Sequence, residues 1–202
     1  MARPRNFDED KVLTALVNAF WSNGYERTST RDLVECTGLH QSSLYNAFGD
    51  KQSIYRRSLD HYLTCTVRAR IHRLEMLPDA GEAISLFFSE VLDRTLSDPL
   101  HRGCLLINSI FEISESDSYL SDAVKKELNL IREFFFSSLE KVSSATVSDA
   151  QKHAADGASL LVGVLIGVRS LAITGPDPKI LIQAFECALK SLGLPALKLS
   201  SY

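Results

Sequence analysis

Cysteine is sparse in this 202-residue sequence: four residues, Cys36, Cys65, Cys104 and Cys187, with no two close together. That spacing excludes CxxC metal and redox motifs. The five histidines, at positions 40, 61, 72, 101 and 153, show no metal-ligand spacing either, so neither a metal nor a cofactor is expected. His101 and Cys104 stand three apart, but a Cys–His nucleophile needs an orienting third group, which the sequence does not offer. Glycine-rich loops for an oxyanion or a phosphate are missing as well, so enzymatic activity is not expected. Almost nothing alternates with period two, which argues against strands. Internal repeats and low-complexity segments are absent. The opening MARPRNFDED has no apolar h-region, so it does not read as a signal peptide. With the dispersed thiols, that points to a cytoplasmic protein with reduced cysteines. The longest apolar run, residues 158–175, is interrupted by Arg169 and falls short of a clear span of ~20 residues. A buried helix is expected there, and no membrane.

What is present is ordinary globular material, with 45% hydrophobic and 23% charged residues. That length can bury a sizeable core. The net charge of −3 is unevenly spread. Residues 1–73 hold 11 basic and 8 acidic residues, whereas the remainder holds 11 basic and 17 acidic. A basic N-terminal piece on an acidic body suits a DNA-binding head fused to something else. Apolar residues recur mostly at three and four, which predicts an all-α fold of about nine helices. They fall at Asp8/Glu9–Asn23, Thr30–Cys36, Gln41–Phe48, Asp50–Leu74, Asp79–Leu96, Gly103–Ser114, Asp117–Val142, Val147–Thr174 and Pro178–Leu192. The tail after Pro195 is expected to be poorly ordered.

The richest stretch is Thr28 to Lys51, TSTRDLVECTGLHQSSLYNAFGDK. Ser29 with Asp32 three residues on forms a capping-box-like start for one helix. Gly38, free to take a positive φ, closes that helix in the turn Thr37-Gly38-Leu39. The next helix would bury Leu44, Ala47 and Phe48, leaving His40, Gln41, Ser42, Ser43, Tyr45 and Asn46 outward. A hydrogen-bonding face on a short helix after a glycine turn is suited to the major groove of DNA. Tyr45 has a second reading as a core aromatic, from its spacing to Leu44 and Phe48. Trp21 reads as a packing residue under the head.

Phe20, Gly24-Tyr25, Thr28-Ser29, Leu33, Gly38-Leu39, Ser43-Leu44-Tyr45, Phe48, Lys51 and Leu59 resemble, in order, the DNA-binding domain of the TetR family of transcriptional repressors. Arg102-Gly-Cys-Leu-Leu-Ile-Asn108 is similar to a branch of that family carrying Gly-Cys-Leu at the start of its sixth helix. The resemblance implies a helix-turn-helix domain over residues 1–55 and a ligand-sensing, dimerising domain over 56–202, with the boundary within or just after the Asp50–Leu74 helix. It assigns Gln41, Ser42, Ser43 and Asn46 to base edges, and Tyr45 and Lys51 to phosphates, with Thr28 and Ser29 assisting. His40 lies beside them with no settled role. Arg3 and Arg5 resemble basic arms that enter an adjacent minor groove. The implied partners are a pseudo-palindromic double-stranded DNA operator, a second copy of the chain, and a small apolar or electrophilic effector.

In the body, Gly157, Gly163 and Gly167 among Leu, Val and Ile suit a close helix–helix interface, which the resemblance places between two subunits. Phe87, Phe88, Leu105, Phe111 and Phe135, with Leu106, Phe134 and Phe136, read either as core or as an apolar effector pocket. Asn108, Glu112 and Arg169 would be its polar anchors. Cys104 has two readings. It is a small hydrophobe in the core, or a thiol sensor beside Arg102 near a helix start. A constitutive DNA binder without a ligand is the competing reading of the whole chain.

Overall fold

Side-chain caps start five of the helices. The structure, a computed structural model, describes residues 7–112, 118–142 and 147–199, so Arg3 and Arg5 lie outside the described residues. Among the described residues there is no strand. The chain divides into two compact units, Met1–Cys65 and Thr66–Tyr202.

The first unit holds α1 (Glu9–Asn23), α2 (Thr30–Thr37), α3 (Gln41–Phe48) and α4 (Lys51–Leu63). Asp8 caps α1 by accepting from Lys11 N at 3.2 Å. Asp50 caps α4 by accepting from Ser53 N at 2.8 Å. The Ser29–Asp32 capping box forms as read: Asp32 N donates to Ser29 Oγ at 3.2 Å, and Ser29 N donates to Asp32 Oδ2 at 2.7 Å. Gly38 closes α2 in the left-handed region, φ 66°, where a side chain would be strained. Hydrogen bonds from Ser29 and Ser53 hold the Asp32 and Asp50 carboxyls below the usual carboxylate range. Their capping contribution is therefore present at neutral pH and is lost as pH falls through the acid range.

The core of this unit is Leu16, Phe20, Leu33, Leu44, Ile54, Tyr55 and Leu59, each 2% exposed or less. Phe20 meets Tyr55 edge-on at 4.9 Å. Trp21 meets Tyr62 edge-on at 5.3 Å, in the packing role expected of it. Because Leu59, Tyr62 and Leu63 are buried here, α4 belongs to this unit to its end. The contact division falls at Cys65/Thr66, within the Asp50–Leu74 stretch. The helix expected over Asp50–Leu74 is interrupted by a π-helical turn, Thr64–Arg68, before α5 (Ala69–Leu74). Ten α-helical segments result among the described residues, or nine with α4 to α5 taken as one run.

The second unit continues with α6 (Ala80–Leu96), α7 (Leu105–Glu112), α8 (Ser118–Val142), α9 (Val147–Leu171), a 3-10 turn (Ala172–Thr174) and α10 (Pro178–Ser191). Its centre is aromatic. Phe88 stacks on Phe135 at 5.3 Å and lies 4.7 Å from Phe185, while Phe87 meets Phe135 edge-on at 5.1 Å. Glu127 on α8 is nearly enclosed, and Arg68 grips it, donating from Nη2 at 2.9 Å and from Nε at 3.2 Å to each carboxylate oxygen. Arg68→Ala would strand that carboxylate in the interior. A fully buried pair broken on one side costs more, but Arg68 is about a third exposed and water would enter, so a loss of about 2 kcal/mol is expected in chemical denaturation.

The tail expected to be poorly ordered is instead held down. Ser85 donates to Ala196 O at 2.6 Å, Lys198 N donates to Ser89 Oγ at 2.9 Å, and Leu197 N donates to Glu186 Oε1 at 2.9 Å. Ser85 and Ser89, one turn apart on α6 and both buried, receive an extended strap over residues 194–199. Sequence position alone gave no sign of these two serine partners, because they lie more than 100 residues upstream.

Candidate nucleic-acid interface

The buried side of α3 is Leu44 and Phe48, and its exposed side is Gln41, Ser42, Ser43 and Asn46. His40, the residue before α3, is also exposed and makes no side-chain cap. By contrast α1, α2, α4, α6 and α10 each begin on a side chain that accepts from their first turn. The first N–H groups of α3 therefore lack the capping oxygen that those helices have. They carry the positive end of the helix dipole.

Several contacts fix α3 in place. Tyr45 is half-buried and its hydroxyl is 2.8 Å from Thr30 Oγ1, which pins α3 against α2. The side chain is thus half-buried, with its hydroxyl engaged by Thr30. Arg57 donates to Ala47 O at 2.9 Å near the C-terminal end of α3. Its guanidinium lies 4.4 Å from the Phe48 ring centroid and is ion-paired with Glu9 of α1. Sequence reasoning missed Arg57, and no local signal would have found it, since its partners are 10 and 48 residues away.

Three expected residues have engaged side chains. Thr28 is fully buried and donates to Gly24 O at 2.6 Å, so it closes the loop before α2 and is absent from the outer surface. Ser29 is exposed but its hydroxyl serves the capping box, donating to Asp32 Oδ2 at 2.7 Å. Lys51 donates to Glu26 O at 3.2 Å and lies 4.6 Å from the Tyr25 ring centroid. It thus braces the loop after α1 from the first position of α4.

In the second unit, Phe87, Phe88, Leu105 and Phe135 are all buried, and the three rings meet one another. Phe111 is not with them. It is 74% exposed on the last turn of α7, whose buried side is Leu105, Leu106, Ile107 and Ser109. The expectation that it lines a pocket is corrected. Glu112, the last residue of α7, is half-buried. Asn108 donates from Nδ2 to Arg102 O at 2.9 Å, and its buried Oδ1 has no hydrogen-bond partner among the described residues. Arg169 is 5% exposed and donates to Thr95 Oγ1 and to the Gly103 carbonyl, so Asn108 and Arg169 meet successive carbonyls of one loop. Gly103 has φ 69°, and a Cβ there would meet Ile173 Cγ1 at 2.7 Å, so only glycine fits between Arg102 and Cys104. Cys104 is buried at 9%. Arg102, expected to favour its thiolate, is turned onto Asp98, with Nε 3.2 Å from each carboxylate oxygen. Burial raises the Asp98 carboxyl, but the hydrogen bonds and charge of Arg102 outweigh that and hold it low.

A capped helix, a glycine turn and a second helix with an exposed polar face define a helix-turn-helix protein. Residues 12–57 match the family model described as "Bacterial regulatory proteins, tetR family". Together with the relatives below, this match supports membership of the TetR family of transcriptional regulators. It is 30% identical over 126 residues to the HTH-type transcriptional repressor ComR of Escherichia coli, an alignment covering 61% of this chain and 59% of ComR. It is 29% identical over 139 residues to the regulator YezE of Bacillus subtilis, covering 69% of this chain and 72% of YezE. Among solved structures it is similar to a cysteine variant of the TetR family regulator CifR in complex with a 26 bp double-strand operator DNA. That match has a TM-score of 0.79 and 29% identity, and covers 94% of this chain and 99% of the other.

Proposed function

We propose that the protein is a homodimeric, effector-responsive repressor that reads DNA through α3. The exposed face Gln41–Ser43 and Asn46, at the uncapped start of α3, carries the reading. Neutral amides and hydroxyls suit base edges, with Gln or Asn bidentate on adenine as the strongest option. The bare N–H groups of α3 suit a phosphate oxygen. Lys51 adds a cation beside the loop that precedes α2. Lys51→Ala is expected to weaken binding to all sequences about equally and to reduce the salt slope by about one. Fluorescence anisotropy across a salt series measures this; an unchanged slope would remove Lys51 from the phosphate contacts.

One helix-turn-helix reads few base pairs, so a second copy is needed for selectivity, with heads about 34 Å apart on the duplex. Support for a pairing surface comes from the last two helices. By length and composition α9 could cross a membrane, yet 39% of its apolar window is buried within the chain, and Arg169 lies in it. The exposed remainder includes Leu160 and Leu171, beside Gly163 and Gly167, where an added Cβ would meet nothing within 4 Å. Ile180 on α10 is 50% exposed. Exposed apolar side chains with small residues between them suit close approach of a second copy.

For the effector, the interior around Phe88 and Phe135 offers the apolar part, and Asn108 and Arg169 the polar part. Arg169 is a buried cation whose described acceptors are uncharged, and Asn108 Oδ1 has no donor among the described residues. Buried groups in that condition favour a ligand that completes them. Binding that favours one head spacing over another by ~1–3 kcal/mol would change DNA occupancy about 5- to 150-fold. The reading is tested by anisotropy titration of operator DNA with candidate effectors. A dimer in solution and a fall in DNA affinity on effector binding are expected; a monomer in solution would overturn the paired-head mechanism.

A further inference from the structure

Cys65 is exposed and stands at the junction where the chain leaves its first unit, in the π-helical turn Thr64–Arg68. It is not alone. Its Sγ is 3.9 Å from His61 Nε2, one turn back on α4. His61 Nε2 is also 3.2 Å from Thr14 Oγ1, and His61 Nδ1 is 3.9 Å from the Asp10 carboxylate on α1. The imidazole is only 17% exposed, so it is held between α1 and α4 rather than swinging in solvent. A carboxylate on the Nδ1 side favours the tautomer protonated there, which leaves the Nε2 lone pair toward Thr14 and Cys65. Carboxylate, imidazole and thiol in that order are the parts of an activated nucleophile. Nothing in the DNA-reading surface or the aromatic interior uses them. The distances exceed those of tight hydrogen bonds, as is common before a reactant is present.

The other thiols are less well placed. Cys36 is exposed as a residue, but partial burial of its thiol and the charges of Asp32 and Glu35 push it up, and its Sγ donates to Leu33 O at 3.4 Å. Cys104 is buried. Cys187 is exposed on α10, the helix proposed to pair with a second copy.

We propose that Cys65 is a site of covalent modification by soft electrophiles, of the α,β-unsaturated carbonyl class, with His61 as its base and Asp10 orienting the ring. The thiol proton passes to His61 Nε2, sulfur bonds to the β-carbon, and the carbon–carbon π electrons move to the carbonyl oxygen. The resulting enolate takes a proton at the α-carbon, so the reaction is an addition with no leaving group and no redox change. This gives the electrophilic effector class a place in the chain other than Cys104. It deepens the effector part of the proposed function, but the chemistry is read without DNA.

N-ethylmaleimide, a cyclic unsaturated carbonyl compound, serves as the probe, with site-resolved mass spectrometry of the intact chain over time. Cys65 is expected to react first, on the order of 10-fold faster than Cys36. His61→Gln should slow Cys65 by on the order of 10-fold or more and leave Cys36 unchanged. Asp10→Asn should slow Cys65 less, and Asp10→Glu should restore it, which a merely structural role would not predict. In the unaltered protein, Cys65 reacting no faster than Cys36 overturns the proposal whatever the variants do. Equal Cys65 rates in the His61→Gln variant and the parent, at matched thermal midpoints, overturn the role of His61. These outcomes are independent of whether the DNA-binding reading holds.

Discussion

Phe88→Ala is expected to cost about 3–5 kcal/mol of stability, the range for emptying a phenylalanine site in a well-packed core. The ring is 1% exposed and touches three others: Phe87 at 5.6 Å, Phe135 at 5.3 Å and Phe185 at 4.7 Å. Phe185 belongs to α10, Phe135 to α8 and Phe88 to α6, so one ring joins three helices. No neighbour can close the gap without leaving its own partners. Chemical denaturation should show a lower midpoint at unchanged slope, and the thermal midpoint should fall by roughly 10 °C. Phe111→Ala supplies the contrast. That side chain is 74% exposed, and a change within about 0.5 kcal/mol is expected. Equal losses for the two would contradict the account of the aromatic centre.

The double substitution Gln41→Ala with Asn46→Ala is expected to abolish sequence-selective DNA binding while leaving the fold intact. Each amide that pairs with a base edge discriminates by about 1–3 kcal/mol, so both together lower affinity by roughly two to three orders of magnitude. Both residues are exposed and neither contributes to the core, so the thermal midpoint should stay within about a degree or two of the parent. Binding to non-specific DNA should survive, because it rests on phosphate contacts. Loss of both kinds of binding together would mean that these amides hold phosphates instead.

Much of this was legible in the sequence because the signals are local. Ser29, Asp32 and Gly38 specify α2 within ten residues, and the capping box and left-handed turn form as those residues require. The 3.6 periodicity placed α3 at Gln41–Phe48 and α10 at Pro178, in register with its Asp177 cap. The outer face of α3 followed from the same periodicity. Several of the failures come from contacts between positions far apart in the chain, and the rest are local. Arg57 braces α3 from ten residues beyond the carbonyl it binds. Thr28 turns inward onto Gly24 O. Arg169 and Arg68 find their partners 66 and 59 residues away, and the C-terminal strap finds Ser85 at a separation of 111. Phe111 was grouped with the interior by residue type, although α7 ends one residue later at Glu112. The π turn at Thr64–Arg68 breaks a run whose periodicity gave no warning of a break.

The central claim is that α3 reads a two-fold operator as one of a pair of heads. The direct measurement is selection of the protein's preferred duplex from a random DNA pool, followed by affinity and stoichiometry on the selected sequence. The account predicts a pseudo-palindrome with half-sites centred about one helical turn apart, or a multiple of it, bound by an even number of chains. It predicts further that the Gln41→Ala, Asn46→Ala variant loses preference for that sequence over a scrambled one. A selected site with no two-fold symmetry, or a preference untouched by those substitutions, would contradict it.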